Sequence, residues 1–165
     1  MHNLAIISLG SNLGDSRKLT RAAIARLQEM SAKPLLKSSL WETTPVDCPP
    51  GSPMFVNAVV ALTPIAGETP ESLLGKLQAL EKQLGRQPKK VWNEARPLDL
   101  DLITFPGEIR NTPDLVLPHP RAAERRFVIE PLSEIAPDLV LPGETKTVAQ
   151  LLEALPPDPL MKKVV

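Results

Sequence analysis

The segment RPLDLDLITF, Arg96 to Phe105, sets two carboxylates, Asp99 and Asp101, inside a run that otherwise reads as a hydrophobic strand. Residues two apart in a strand point to one face and lie about 6.6 Å apart along it. Leu98, Leu100 and Leu102 therefore share one face, and the two aspartates share the other. A leucine face packs on helices. An acidic face is either left in water beside surface lysines or gathered around something positive, because burying two like charges alone is costly. Hard divalent cations take oxygen ligands, and Mg2+ commonly binds one or two carboxylates together with substrate phosphates. Two carboxylates on one strand could also hold a pair of metal ions.

The flanking charge favours the metal. Upstream, GRQPKKVWNEAR carries Arg86, Lys89, Lys90 and Arg96; downstream, LPHPRAAERRF carries His119, Arg121, Arg125 and Arg126. Arginine suits bidentate phosphate contacts and lysine acts as a point charge. Each base taken singly reads as solvated surface, but acids that bind metal beside bases that bind oxyanions are what a polyphosphate needs. The cluster is local, since the net charge is zero and no overall field draws the chain to nucleic acid or an anionic membrane.

What is missing narrows the chemistry. There is no GxxxxGK(S/T) and no protein-kinase signature, and GSNLGD lacks the glycine spacing of a dinucleotide fingerprint. His119 is the only histidine besides His2, and no nucleophile elbow surrounds a serine, which argues against a Ser-His-Asp triad. The lone Cys48 excludes an intrachain disulfide and a zinc-thiolate site.

The elements that must position these residues follow from periodicity. Asn3 to Gly10 reads as a buried strand, and Asp15 as the N-cap of a helix with Leu19, Ala23, Leu27 and Met30 on one stripe. LLKSSLWET and MFVNAVVALT read as the second and third strands. Thr69-Pro70 opens a second helix with a Leu73, Leu77, Leu80, Leu84 stripe, closed by Gly85. LDLDLITF is the fourth strand. Helices follow over roughly Ala122 to Ile135 and Thr147 to Leu155, the latter with a capping-box pattern from Thr147 to Gln150. The order β-α-β-β-α-β predicts an α+β ferredoxin-like sandwich with additional C-terminal helices, as a single domain over 1–165.

Composition sets the class. At 42% hydrophobic and 23% charged the chain reads as a soluble globular protein. No apolar run approaches a membrane span and no signal-peptide plan opens it, so a cytoplasmic location is expected. Its 19 prolines punctuate element borders rather than forming a repeat.

The pieces SLGSNLGD, SSLWETTPV, FVNAVV, LEKQLGR, RPLDLDLITF and LPHPRAAERRFVIEPL, in this order, resemble the 6-hydroxymethyl-7,8-dihydropterin pyrophosphokinase family of folate biosynthesis. The resemblance implies transfer of the pyrophosphoryl group of ATP to the hydroxymethyl group of a reduced pterin, with AMP leaving. It implies that Asp99 and Asp101 bind two Mg2+ ions, that Arg86 and Arg96 are catalytic and clamp phosphates, and that Gln78, Glu81, Lys89, His119 and Arg125 bind ATP. For the pterin it implies Asn57 reading the ring, Phe127 stacking, Phe55 beside the slot, and Thr43, Pro45 and Val46 along its edge, with Asn12 closing over it.

Two features depart from the family pattern. Trp92 stands one place early, with Asn93 at the usual aromatic site and Glu94-Ala95 for the usual Gly-Pro, and Pro88 stands where some members carry a basic residue, leaving Lys89 and Lys90 to supply the charge. Trp92 either folds over the substrate or shields the loop, and both readings stay open. The loops VDCPPGSP and GRQPKKVWNEA lack periodicity and are expected to order on ATP binding. For Gln78 and Glu81 the competing reading is an exposed helix face, and for Asn57 it is hydrogen bonding to neighbouring backbone. A ferredoxin-like RNA-binding module would want stacking aromatics and a basic sheet, which three phenylalanines, two tryptophans and an acidic fourth strand do not provide. A binding domain that has lost catalysis is the other rival, disfavoured because both aspartates and the main arginines remain. The expected partners are ATP and the pterin, with neither nucleic acid nor membrane, and a monomer.

Overall fold

The computed structural model describes residues 3–12, 15–43, 54–85 and 98–164. In chain order the elements are β1 (Ala5–Ser11), α1 (Ser16–Glu29), β2 (Leu36–Lys37), β3 (Trp41–Thr43), β4 (Phe55–Leu62), α2 (Pro70–Gly85) and β5 (Asp99–Thr104). A hairpin of β6 (Arg110–Asn111) and β7 (Val116–Leu117) follows, then a 3-10 turn (Ala122–Glu124), α3 (Arg126–Ile135), α4 (Val148–Ala154) and β8 (Lys162–Lys163). The main sheet runs β5-β1-β4-β3-β8, with β2 also on β4, and its described pairings are antiparallel. With α1 and α2 on one face, this is the ferredoxin-like α+β sandwich expected from the element order.

Local chemistry explains the helix starts. The Asp15 carboxylate accepts the Lys18 N–H at 3.2 Å, occupying one of the orphan donors of the first turn of α1. At α2 the Thr69 hydroxyl accepts the Ser72 N–H at 3.0 Å while the Ser72 hydroxyl accepts the Thr69 N–H at 2.9 Å. Pro70 takes the first helical position, where its missing N–H costs nothing. In α4 the Thr147–Gln150 capping box forms reciprocally.

Two cores sandwich the sheet. Ala23 and Leu27 of α1 and Leu73, Leu77 and Leu80 of α2 pack on Ile7, Leu9, Val60, Leu62, Leu98, Leu100 and Leu102. On the other face Val128, Ile129 and Leu132 of α3 and Val148 of α4 cover Ile6, Val59, Ala61 and Ile103. The alternation of β5 thus sends its leucines to the first core and leaves Asp99 and Asp101 half-buried on the face of α3.

The structure departs from the sequence reading at several points. LLKSSLWET is not one strand. Lys37 opposes Val60, but Trp41 opposes Asn57, so one extra residue is inserted between them. Ser38 bridges that bulge: its N–H donates to Val59 O, and its hydroxyl accepts the Val59 N–H, both at 2.9 Å. The helix expected from Ala122 breaks at Arg125, whose backbone is extended (φ −105°, ψ 108°) before α3 begins. The two-residue strands β6, β7 and β8 are too short to carry a period and were not expected. Among the described residues, no helix is long and apolar enough to cross a membrane.

Candidate active site

Register places the acids. Asp99 opposes Gly10, Gly10 opposes Asn57, and Asn57 opposes Trp41, so these residues form one row across four strands. Directly opposed residues share a face. Two positions along, the next row on that face is Asp101, Ser8 and Val59. A carboxylate edge on β5 and an amide on β4 therefore flank a glycine floor on β1. That floor is a close approach: a Cβ on Gly10 would lie 3.0 Å from Asn57 Nδ2 and 3.8 Å from Phe55 Cδ1. A glycine in a strand interior is a signal of such an approach that can be read from sequence, and Gly10 was not singled out by it.

Asn57 is 5% exposed and fixed by two protein contacts. The Thr43 hydroxyl donates to Asn57 Oδ1, and Asn57 Nδ2 donates to Leu9 O at 3.3 Å. A primary amide has two donors and two lone pairs, and among the described residues these two bonds take one of each. Phe55, one alternation along β4, is half-buried. Asn12, one residue beyond β1, is 1% exposed, and neither amide atom has a hydrogen-bond partner. A buried orphan amide is uncommon enough to mark the spot.

On the α2 side, Glu81 Oε2 accepts the Leu100 N–H at 2.8 Å. Burial pushes the Glu81 carboxyl up to about 7; the Leu100 N–H opposes this, and the charges of Asp99 and Asp101, with a hydrogen bond to Asp99, add to it. Three carboxyl groups therefore crowd one end of β5. Gln78, one turn earlier on α2, is exposed.

Beyond β5, His119 donates its backbone N–H to Ile103 O at 2.8 Å, anchoring the loop to the strand. Its Nδ1 accepts the Arg121 N–H at 3.3 Å, which leaves the ring proton of the neutral form on Nε2. Burial first, then the Arg125 charge, lowers the His119 pKa, against the pull of Asp99. The imidazole is thus a neutral N–H donor. Arg125 sits at the N-cap of α3 with its guanidinium 5.5 Å from the Phe127 ring centroid. Arg126 turns to the tail instead, pairing with Glu130 at 2.9 Å and donating to Pro156 O at 3.1 Å.

The structure thus brings together Asp99, Asp101, Glu81, His119 and Arg125 on one side, and Asn57, Thr43 and Phe55 on the other side of Gly10. Arg86, Lys89, Trp92 and Arg96, with Pro45, Val46 and the two expected mobile loops, lie outside the described residues. The donor set fits Mg2+: two half-buried carboxylates two residues apart supply hard oxygen, with phosphate oxygens and water to complete a shell. Among the described residues, no group of three or more His, Cys, Asp or Glu could hold a metal by itself. Mg2+ usually takes one or two carboxylates, so a sparse protein shell is what it asks for.

The family model of 7,8-dihydro-6-hydroxymethylpterin-pyrophosphokinase matches residues 6–137. The chain is 40% identical over 136 residues to the 2-amino-4-hydroxy-6-hydroxymethyldihydropteridine pyrophosphokinase of Bacillus subtilis, covering 82% of this chain and 79% of that one. It is 39% identical over 149 residues to the folic acid synthesis protein fol1 of Pneumocystis carinii, covering 90% of this chain but only 20% of that much longer protein. Among solved structures, the Plasmodium falciparum HPPK-DHPS with pteroate superposes with a TM-score of 0.70 at 14% identity, over 92% of this chain and 42% of that one. At that identity the likeness speaks for the fold.

Proposed function

Since the chain belongs to the 7,8-dihydro-6-hydroxymethylpterin-pyrophosphokinase family, we propose that it transfers the pyrophosphoryl group of ATP to the hydroxymethyl oxygen of 6-hydroxymethyl-7,8-dihydropterin. The new bond joins that oxygen to the β-phosphorus, the bond from the β-phosphorus to the α,β-bridging oxygen breaks, and AMP leaves with it while the hydroxyl gives up its proton. The observation that carries this reading is the row Asp99–Gly10–Asn57: carboxylates and an amide share one sheet face across a residue with no side chain.

Each side of that row has its own work. Asn57, held by Thr43, turns its amide to the polar edge of a pterin, which carries both donors and acceptors. Phe55 and Phe127 supply flat apolar surface for the ring. Asp99 and Asp101 would hold two Mg2+ ions; when bound, these neutralise phosphate charge and acidify the acceptor hydroxyl. His119 donates Nε2–H to a phosphate oxygen without adding a charge that varies near neutral pH, and Arg125 clamps another. Displacement at phosphorus needs mainly such positioning and charge stabilisation. Arg86, Lys89 and Arg96 complete the clamp in this reading, Gln78 meets the nucleotide from α2, and Pro45 and Val46 line the pterin edge. The reading is of one domain, acting as a monomer in the cytoplasm, where ATP and Mg2+ are at hand.

The test is product analysis. Purified protein incubated with MgATP and the pterin, followed by nucleotide separation, is expected to give AMP only when pterin and Mg2+ are both present. ADP in place of AMP would keep the site but sink pyrophosphoryl transfer, and absence of turnover with ATP bound would favour an inactive binding domain.

A further inference from the structure

Among the described residues, β5 is the outermost strand of the sheet. Its inner edge pairs with β1, Gly10 opposing Asp99, Leu9 opposing Leu100 and Ser8 opposing Asp101. In an antiparallel pair the N–H and C=O of one residue point to the same side, and the side alternates along the strand. The Leu100 N–H goes to Glu81 Oε2 at 2.8 Å. Leu100 is therefore the outward-turned residue between the two aspartates, whose own backbone groups face β1. An edge N–H of this kind is ordinarily left to water or to an incoming strand. Here a side chain from the last turns of α2 stands where the next strand would be. Its helix is rigidly seated, with Leu77 and Leu80 at 0% and 1% exposure in the core beneath.

We propose that Glu81 is a positioning residue, whose bond to the Leu100 N–H fixes the backbone between Asp99 and Asp101 and so sets the spacing at which the two carboxylates meet Mg2+. This rests on the reading of those aspartates as metal ligands. It differs from the expectation that Glu81 binds ATP, because it acts through β5 rather than on the nucleotide. The requirement is an acceptor oxygen at that point, which a glutamine provides and an alanine does not. A peptide hinge freed on its outer edge lets two side chains swing independently, and the cost falls on whatever must bridge them.

The experiment uses Glu81→Gln and Glu81→Ala in the full chain. Leu100 amide exchange is read by NMR in metal-free protein, alongside the Mg2+ concentration for half-maximal turnover and the KM for the pterin. Glu81→Ala is expected to speed Leu100 exchange and raise the Mg2+ requirement, each about tenfold, as loss of one hydrogen bond implies. The pterin KM should stay within about threefold. Glu81→Gln, nearly isosteric, should keep all three near wild type. If Glu81→Gln raises the Mg2+ requirement as far as Glu81→Ala while Leu100 stays protected, the carboxylate charge matters rather than the bond, and the proposal is overturned. An unchanged Mg2+ requirement in Glu81→Ala overturns it as well. Wild-type turnover that needs no Mg2+ removes the metal reading itself, and the proposal with it; that failure shows before any variant is made.

Discussion

Replacing Gly10 with alanine probes the glycine floor with a single methyl. The strand backbone there is not left-handed, so alanine is conformationally acceptable, and loss of glycine's freedom in the unfolded chain should stabilise by about 0.4–1 kcal/mol. Against this, the new Cβ would stand 3.0 Å from Asn57 Nδ2, closer than carbon and nitrogen normally approach. The amide must withdraw by a few tenths of an ångström. Its bond to Leu9 O is already 3.3 Å long, while Thr43 holds the other end, so withdrawal breaks the weaker contact. That costs about 0.5–1.5 kcal/mol. The two terms nearly cancel, and the melting temperature should move by no more than about 4 °C. Binding has no such compensation. An amide displaced from the pterin edge loses about one hydrogen bond, near 1.4 kcal/mol, which is a tenfold rise in pterin KM. Steady-state kinetics with each substrate varied in turn, beside a thermal melt, reads both numbers. The expected pattern is pterin KM up about tenfold, MgATP KM unchanged and Tm nearly unchanged. An unchanged pterin KM would show that Asn57 does not read the ring, and equal rises for both substrates would show that the floor serves something other than the pterin.

Two further perturbations follow from the same contacts. Glu81, raised to about 7 in the folded chain, keeps a proton that the unfolded chain releases near pH 4.5. Folded protein thus binds more protons between those values, and metal-free stability should fall as pH rises through that window, by about 1 kcal/mol after solvent screening. Denaturant melts at pH 4.5 and 7.5 measure the slope, and Glu81→Gln should flatten it; an equal slope in the variant would assign it elsewhere. Glu134 accepts the Trp41 Nε1–H at 2.6 Å and the Ser39 hydroxyl at 2.8 Å, and lies 3.8 Å from Lys163, tying α3 to β3 and β8. Glu134→Ala should cost about 2 kcal/mol, or about 4–8 °C in Tm, with Mg2+ dependence intact. A melt unchanged within 1 °C, by the same relation, would mean that this tie is not what holds the β3 edge.

The sequence made the sandwich readable because its long elements are strongly periodic. The Leu73, Leu77, Leu80 stripe and the alternation of LDLDLITF each allow one seating on the sheet, and the Asp15 and Thr147 caps mark helix starts by chemistry alone. What escaped lacks a period. A serine that swaps its hydroxyl into the ladder splits LLKSSLWET, and nothing in composition distinguishes that Ser38 from Ser39. Arg125 interrupts a helical pattern through its backbone alone. At the site, the D-x-D spacing gave the acids and their shared face, but the partner row came only from register, which pairs Gly10 with residues 47 and 89 positions further along the chain. For the same reason the bond from Glu81 to β5 was not legible: nothing local says that its carboxylate reaches the outer edge of that strand.

The account stands or falls on the claim that Asp99 and Asp101 hold the metal for the transfer. The most direct measurement saturates the protein with pterin and a non-hydrolysable ATP analogue, then titrates Mn2+ as a paramagnetic stand-in for Mg2+ and counts bound ions by EPR. The account predicts two per wild-type chain, with Asp99→Asn and Asp101→Asn each losing one ion or weakening it at least about tenfold. Two ions bound with wild-type affinity in both variants would contradict it.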